Sequence, residues 1–439
     1  MAKRFFIETF GCQMNVHDSE RLRGLLETAG FESTEVIDDA DLVLINTCSV
    51  RERAQEKLFA RLDRFNGKSR ESRPTIAVTG CVAQQEGAKI LERSPLVDVV
   101  VGTQALTALP KLVLRAEQES VPQINIEPYD SVSFPLGIAV RKDPVKAYVS
   151  IIEGCNDFCS YCVVPYTRGH ERMRPAFEII DEIAEAVASG RTEIHLLGQI
   201  VNHYQAPDIE KCGFSELLAR IDRIAGVSRI RFASPHPRHV TTRVIDAIRD
   251  LPSVCKHLHL PAQSGSTRTL ERMRRRYTRD DYLRLVEKIR RAIPRIALST
   301  DMIVGFPGES REDFAETLSL TQEVGFKSMF SFKYSERPNT LAQKRMPDDV
   351  SEVEKGFRLT ELQRLQQGIQ LSLNKEMLGQ TVEVLVEATS RRRNNEMFGR
   401  TTGNTVVNFP GEQRWVGQLA NVKIERIGPN SVWGRVFDV

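Results

Sequence analysis

Three short apolar runs, FFIETFGC, DLVLINTC and TIAVTGC, each end in a cysteine: Cys12, Cys48 and Cys81. The cysteines lie 36 and 33 residues apart, intervals of about one strand–helix unit. Between the runs, DSERLRGLLETAG and VRERAQEKLFARLDRF carry apolar residues three and four apart, the period of an amphipathic helix. Strands alternating with helices build a parallel, doubly wound sheet. All strand C-termini of such a sheet lie along one edge, where ligands bind. The pattern predicts an α/β N-terminal domain over residues 1–120 in which three cysteines distant in sequence converge on that edge. Three thiols so placed suit metal ligation.

The alternation resumes further on. Residues 121–140, with the breaks of SVSFPLGIA, read as a linker. Over residues 141–372 the strand candidates are KAYVSIIEGC, EIHLLGQ, RIRFASP, KHLHLPAQSG, ALSTDMIVGFPG and MFSFKYS. Helical segments such as AFEIIDEIAEAVASG and RDDYLRLVEKIRRAI separate them. Six repeats suggest a partial (β/α)6 barrel, whose chemistry sits at the strand C-termini. From about residue 350 the pattern changes to one long helix, SEVEKGFRLTELQRLQQGIQLSLNKEML. Short alternating runs with Gly and Asn turns follow, predicting a small antiparallel β-barrel over residues 373–439.

Three of the chain's eight cysteines, Cys155, Cys159 and Cys162, fall in EGCNDFCSYCVVPYTRG with the spacing C-x3-C-x2-C, directly after the first barrel strand. A zinc site more often pairs two C-x2-C motifs. Three thiolates on one loop suit three irons of a 4Fe–4S cluster and leave the fourth iron open. Tyr161, just before the third cysteine, is placed to line that open position. No apolar run approaches the length of a membrane span. The N-terminus MAKRFFIETFGC lacks a signal-peptide pattern. These points predict a cytoplasmic protein with reduced thiols, in which cysteines bind metal more often than each other. Cys212 and Cys255 match no metal spacing and read as structural. The eight histidines are read as forming no H-x-x-H or HExxH set, which argues against a zinc hydrolase. A net charge of +3 leaves any nucleic-acid contact to local patches.

The loop resembles the signature C-x3-C-x-aromatic-C of the radical S-adenosylmethionine (SAM) superfamily. FGCQMNVHDSE, INTCSVRERAQEK and VTGCVAQQ are similar to the three cysteine motifs of the methylthiotransferase family, and LNKEMLGQTVEVLVEATS with GRTTGNTVVNFPG to its C-terminal TRAM domain, a small RNA-binding barrel. NTCSVRE, PYTRGHERMRP and GRTTGNTVVNFPG are closest to the tRNA-acting members. The resemblance implies two 4Fe–4S clusters, one on each cysteine triad, and two SAM molecules per turnover. One SAM methylates a sulfur of the auxiliary cluster at Cys12, Cys48 and Cys81. The other, cleaved at the Cys155–Cys162 cluster, yields the radical that takes hydrogen from the substrate. The implied substrate is tRNA carrying N6-dimethylallyladenosine at position 37, methylthiolated at carbon 2. An electron donor of flavodoxin or ferredoxin type and the iron–sulfur assembly machinery are the implied partners. This chain has LLGQIVNHY where the family usually has LLGQNVNSY, placing Ile200 and His203 in the pocket region, and Met173 where Ser is usual.

Polar residues at the barrel strand ends are the expected SAM contacts: Gln199, Ser234 (with His236 beside it), Gln263, Ser264 and Asp301. The expected RNA contacts are Arg391, Arg392 and Arg393 in the small barrel and Arg275 in LERMRRRYTRDDY. Residues 375–439 hold nine Lys/Arg against seven Asp/Glu, so that expectation rests on the local cluster. Two rival readings stand beside this one: a methylthiotransferase acting on an aspartate of a ribosomal protein, and a non-catalytic iron–sulfur RNA-binding or electron-transfer protein. An open iron is of no use to the last.

Overall fold

A computed structural model describes residues 2–49, 52–67, 69–127, 139–390, 393 and 395–438. The N-terminal sheet has six strands: β1 (Arg4–Phe10), β2 (Glu32–Ser33), β3 (Leu42–Thr47), β4 (Thr75–Thr79), β5 (Val99–Val101) and β6 (Gln123–Asn125). All pair in parallel, in the order β2-β1-β3-β4-β5-β6. The three cysteine-terminated runs are β1, β3 and β4. The central strand β3, LVLINT, is buried at every position, as a strand covered on both faces must be. Leu42 and Leu44 pack with Leu22, Leu26, Leu109 and Val113 on one face. Val43 and Ile45 pack with Leu58, Leu62 and Val82 on the other. The sixth strand lies inside the stretch read as a linker from residue 121. Its sequence, QIN, is short and half exposed at the sheet edge, so no apolar period marks it. Residues 128–138 of that stretch lie outside the described residues.

The central domain begins with β7 (Lys146–Ser150), and a two-stranded ribbon, β8 (Ile152–Glu153) with β9 (Arg172–Met173), follows it. The remaining strands are β10 (Glu193–Leu197), β11 (Arg229–Phe232), β12 (His257–His259), β13 (Ala297–Val304) and β14 (Ser328–Lys333). They form two parallel sheets, β11-β10-β7 and β12-β13-β14. The Cys255 N–H donates to Ile230 O at 3.0 Å, joining the sheets through a parallel bridge between Ile230 and Val254. All six predicted strands are present, giving an open parallel (β/α)6 barrel. Its lumen and helix-facing layers make one continuous core that includes Val149, Leu196, Ile230, Leu258, Leu298 and Met302.

The long helix Glu352–Lys375 is capped by Ser351, whose side chain accepts from the Glu354 N–H at 3.2 Å. It leads into a closed barrel of β15 (Thr381–Thr389), β16 (Glu396–Arg400), β17 (Val406–Pro410), β18 (Leu419–Ile427) and β19 (Val432–Asp438). The pairing is antiparallel except for β17 against β19, which is parallel. This small barrel docks at the N-terminal ends of the central strands. Lys146, which opens β7, pairs with Glu387 at 2.5 Å, and Arg229, which opens β11, pairs with Glu383 at 3.1 Å. Among the described residues no helix is long and apolar enough to cross a membrane.

The helix Gln13–Thr28 joins the first two domains. Its buried residues include Asn15, His17, Asp18, Glu20, Arg21 and Arg23, which only an interface with another charged surface explains. Arg21 reaches Glu153 at 3.3 Å and Asp18 accepts Arg168 at 2.5 Å. Burial raises the Glu20 carboxyl from 4.5 to about 7. The folded chain therefore keeps this proton between about pH 4.5 and 7 while the unfolded chain releases it, so stability falls as pH rises through that window. Glu20→Gln is expected to remove this fall and to exceed the parent in stability at pH 8 by about 1–3 kcal/mol. Urea midpoints at pH 5 and pH 8 for both proteins measure it; equal pH slopes would count against the assignment.

Candidate active site: a cavity between two cysteine triads

In the N-terminal sheet β1 and β3 are neighbours while β2 lies on the far side of β1, so the chain direction switches between them. Cys12 and Cys48 follow those two strands, at the switch point where doubly wound sheets bind ligands. Cys12 is the cap residue of the helix Gln13–Thr28, and its thiol donates to Asn15 Oδ1 at 3.3 Å. Asn15 is fixed by Asn46, which donates to the Asn15 carbonyl at 2.8 Å and to Ser19 Oγ at 2.9 Å. Cys81 opens the helix Cys81–Glu86 after β4. Gly80 before it has φ +91°, and a Cβ there would stand 2.4 Å from Asn46 Oδ1. Only glycine turns the chain so tightly, and that turn brings the third cysteine to the edge.

The second triad lies between β8 and β9. The Cys155 N–H donates to Gly169 O at 3.1 Å, and the Cys162 N–H donates to Cys159 O at 3.0 Å. Ser160 pins the loop from three sides: its N–H to Met273 O at 3.1 Å, its hydroxyl to Arg272 O at 2.8 Å, and its carbonyl to the Ala342 N–H at 2.7 Å. Gly154, with φ +83°, has no room for a Cβ, which would stand 2.0 Å from His170 O.

One cavity of about 400 Å³ is lined by members of both triads: Cys12 and Cys48 from the N-terminal domain, Cys155, Cys159 and Cys162 from the barrel. Cys81 is buried and is not among the lining residues. Tyr161, Gln199, Ser234, Gln263 and Asp301 line the cavity as well. Tyr161 packs edge-on against Phe306, with ring centroids 6.3 Å apart. Gln199 Oε1 accepts from the Gly154 N–H at 2.6 Å, tying the end of β10 to the cysteine loop. Asp301 Oδ2 is 3.3 Å from His259 Nε2. His236 also lines the cavity.

Two expectations are corrected. Ser264 does not line the cavity; it is buried, its hydroxyl 3.4 Å from Thr317 Oγ1 and accepting from the Ser266 N–H at 3.2 Å. These contacts brace the loop. Arg275, expected on RNA, is buried and lines the cavity. It donates to Cys159 Sγ at 3.5 Å, to Tyr277 Oη at 3.1 Å and to Pro261 O at 3.3 Å. The cause is the backbone: Arg274 and Arg276 have φ +58° and +57°, and these turns send them outward while Arg275 points in. Arg391 and Arg392 lie outside the described residues, and Arg393 is ion-paired to Glu396 at 2.8 Å.

The sequence reading passed over an H-x-x-H pair. His236 and His239 gather with Asp157, their ligand atoms within 4.8 Å of one another, and among the described residues this is the one His/Cys/Asp/Glu set so close. Arg238 already serves it, donating to Asp157 Oδ1 at 2.8 Å and lying 3.2 Å from His239 Nε2. A guanidinium occupies the place a cation would need. The donor sets are thiols alone, soft ligands that select iron–sulfur clusters.

The thiols differ in acidity. A hydrogen bond with Cys48 brings Cys12 down to about 6 against the opposing effect of burial. Burial raises Cys81, pushes Cys155 up to about 11 and Cys162 up to about 12.

Three family models match the chain. The Uncharacterized protein family UPF0004 matches residues 4–102, the Radical SAM superfamily residues 149–321 and the TRAM domain residues 375–437. The radical SAM methyltransferase TsrM from Kitasatospora setae shares the fold, with a TM-score of 0.55 at 15% identity over 78% of this chain and 74% of that one. Fold and site thus define a radical SAM protein with an added N-terminal domain and a TRAM barrel, and superfamily membership carries the use of SAM and an iron–sulfur cofactor. The tRNA-2-methylthio-N(6)-dimethylallyladenosine synthase of Thermoanaerobacter pseudethanolicus is 44% identical over 99% of this chain and 93% of its own length. That of Carboxydothermus hydrogenoformans is 45% identical over 96% of each. The chain belongs to the tRNA-2-methylthio-N(6)-dimethylallyladenosine synthase family.

Proposed function

We propose that this chain methylthiolates carbon 2 of N6-dimethylallyladenosine at tRNA position 37, using SAM and two 4Fe–4S clusters. One observation carries the reading: five cysteines from two domains open onto a single cavity. A radical generator and a sulfur source must both reach one substrate atom, and a shared cavity meets that need. When bound, the cluster at Cys155, Cys159 and Cys162 with SAM supplies the one-electron chemistry, and the cluster at Cys12, Cys48 and Cys81 supplies the sulfur. The protein positions the reactants and excludes water. Gln199, Ser234, Gln263 and Asp301 offer polar groups to SAM from the barrel strand ends. Tyr161 walls the cavity. Arg275 sets a fixed positive charge beside Cys159. The TRAM barrel binds tRNA, and an electron donor supplies the reducing equivalent.

The test is mass spectrometry of tRNA nucleosides from a strain lacking this protein. The methylthiolated adenosine is expected to vanish and the unmodified N6-dimethylallyladenosine to accumulate. Unchanged nucleosides would favour action on a ribosomal-protein aspartate instead. Anaerobically reconstituted protein is expected to hold about eight irons per chain; one or two zinc ions would overturn the cofactor assignment.

A further inference from the structure

The small C-terminal barrel docks at the N-terminal ends of the central strands, through Lys146–Glu387 and Arg229–Glu383. The cavity lies at their C-terminal ends. Contacts to nucleotides beside the reacting base must therefore come from the cavity's own rim. Three exposed rings cluster on that rim. Phe158 is 39% exposed and Tyr166 44%, and His170 is exposed too. The Phe158 centroid is 6.5 Å from that of Tyr166 and 6.3 Å from that of His170.

Phe158 sits between Asp157 and Cys159, both of which line the cavity, while Phe158 itself does not. Its φ is +46°. A bulky aromatic in the left-handed region is strained and persists only where its surroundings enforce it. Asn156, two residues earlier, ties this loop to the 170–171 segment, accepting from the Glu171 N–H at 3.2 Å and lying 3.2 Å from His170 Nδ1. The strain turns an apolar ring toward solvent, which burial does not explain. Cations stand close in the chain's fold: Asp157, the residue before Phe158, faces both Arg238, at 2.8 Å, and Arg276, at 3.9 Å. Arg276 is 57% exposed.

We propose that Phe158, Tyr166 and His170 form a stacking platform for unpaired nucleotides flanking the target adenosine, with Arg276 and Arg238 meeting their phosphates. Every base has a face to stack on a ring, and such platforms with adjacent cations are how single strands are gripped without a fixed sequence. The inference rests on the reading of this chain as an RNA-modifying enzyme. A protein segment as the occupant is the competing outcome.

The experiment uses the full, reconstituted chain with SAM and an anticodon-arm RNA hairpin carrying N6-dimethylallyladenosine. Fluorescence anisotropy reads binding, and mass spectrometry reads product. Phe158→Ala is expected to weaken hairpin binding about tenfold, the scale of one lost base–ring stack. Iron content and SAM-binding affinity stay unchanged, and Phe158→Tyr binds within about twofold of the parent. Tyr166→Ala, outside the cysteine loop, is expected to act alike and decides the matter if Phe158→Ala loses iron. Parent-like hairpin binding by the iron-replete Ala variants overturns the platform, as does a loss confined to a protein substrate. A parent enzyme that yields no methylthiolated hairpin overturns the proposed function instead.

Discussion

Cys155→Ala is expected to abolish 5′-deoxyadenosine formation, whereas Cys12→Ala is expected to keep it and lose sulfur insertion. The asymmetry follows from where each thiol stands. Cys155 is on the loop shared with Cys159 and Cys162, after the first barrel strand; Cys12 caps a helix of the other domain. On the proposed roles each triad has three thiols and none to spare, so each substitution would remove a ligand. Losing a mere supporting partner of a ligand costs up to about 100-fold, and losing the ligand itself costs more. Chromatography of 5′-deoxyadenosine and mass spectrometry of the RNA product separate the two activities. Iron content is expected to fall to about half in each variant, four of eight. Methylthiolated product from either variant at parental level would show that the roles are wrongly divided.

Much of this arrangement is legible in the sequence because it depends on local pattern. β1, β3 and β4 are apolar runs ended by a cysteine, and a parallel sheet forces their ends to one edge whatever the loops do. The six barrel strands are equally visible, being short runs separated by amphipathic helices. What escaped depends on three-dimensional context. β6 is a polar edge strand held by pairing with β5 alone. Arg275 reads as one of five arginines in a basic run; only the left-handed turns at Arg274 and Arg276 separate it from them. Ser264 and Gln263 are adjacent at a strand end, yet the chain turns at Gln263, with φ +71°, so only Gln263 reaches the cavity. His236 and His239 were visible as a spacing, but their neighbour Asp157 comes from a loop 79 residues earlier. Most of all, the meeting of the two triads across a domain interface has no local signature.

That interface yields the second large effect. Arg168→Met is expected to destabilise the docking of the first two domains by about 3–5 kcal/mol, the cost of leaving one partner of a buried ion pair alone. Arg168 and Asp18 are 4% and 1% exposed, and the guanidinium is bidentate, at 2.5 Å and 3.3 Å. Asp18→Leu, which strands the cation instead, is expected to cost a similar amount. The double variant removes both charges, so it should recover most of the loss. A chain of several domains need not unfold in one step, so limited proteolysis between the domains is followed alongside urea denaturation. A double variant as unstable as the sum of the singles would show that the residues contribute independently. The pair also carries a functional consequence. Asp18 lies six residues after Cys12 on one helix, and Arg168 six residues after Cys162 in the other domain. Their contact therefore fixes the two triads relative to each other. On the proposed roles, Arg168→Met should keep SAM cleavage at the barrel triad and lower sulfur insertion, which draws on both triads in register. A shift of about 1 Å between reacting groups is enough for about a 100-fold loss. Equal loss of both activities would mean that the substitution unfolds the barrel loop itself rather than loosening the joint.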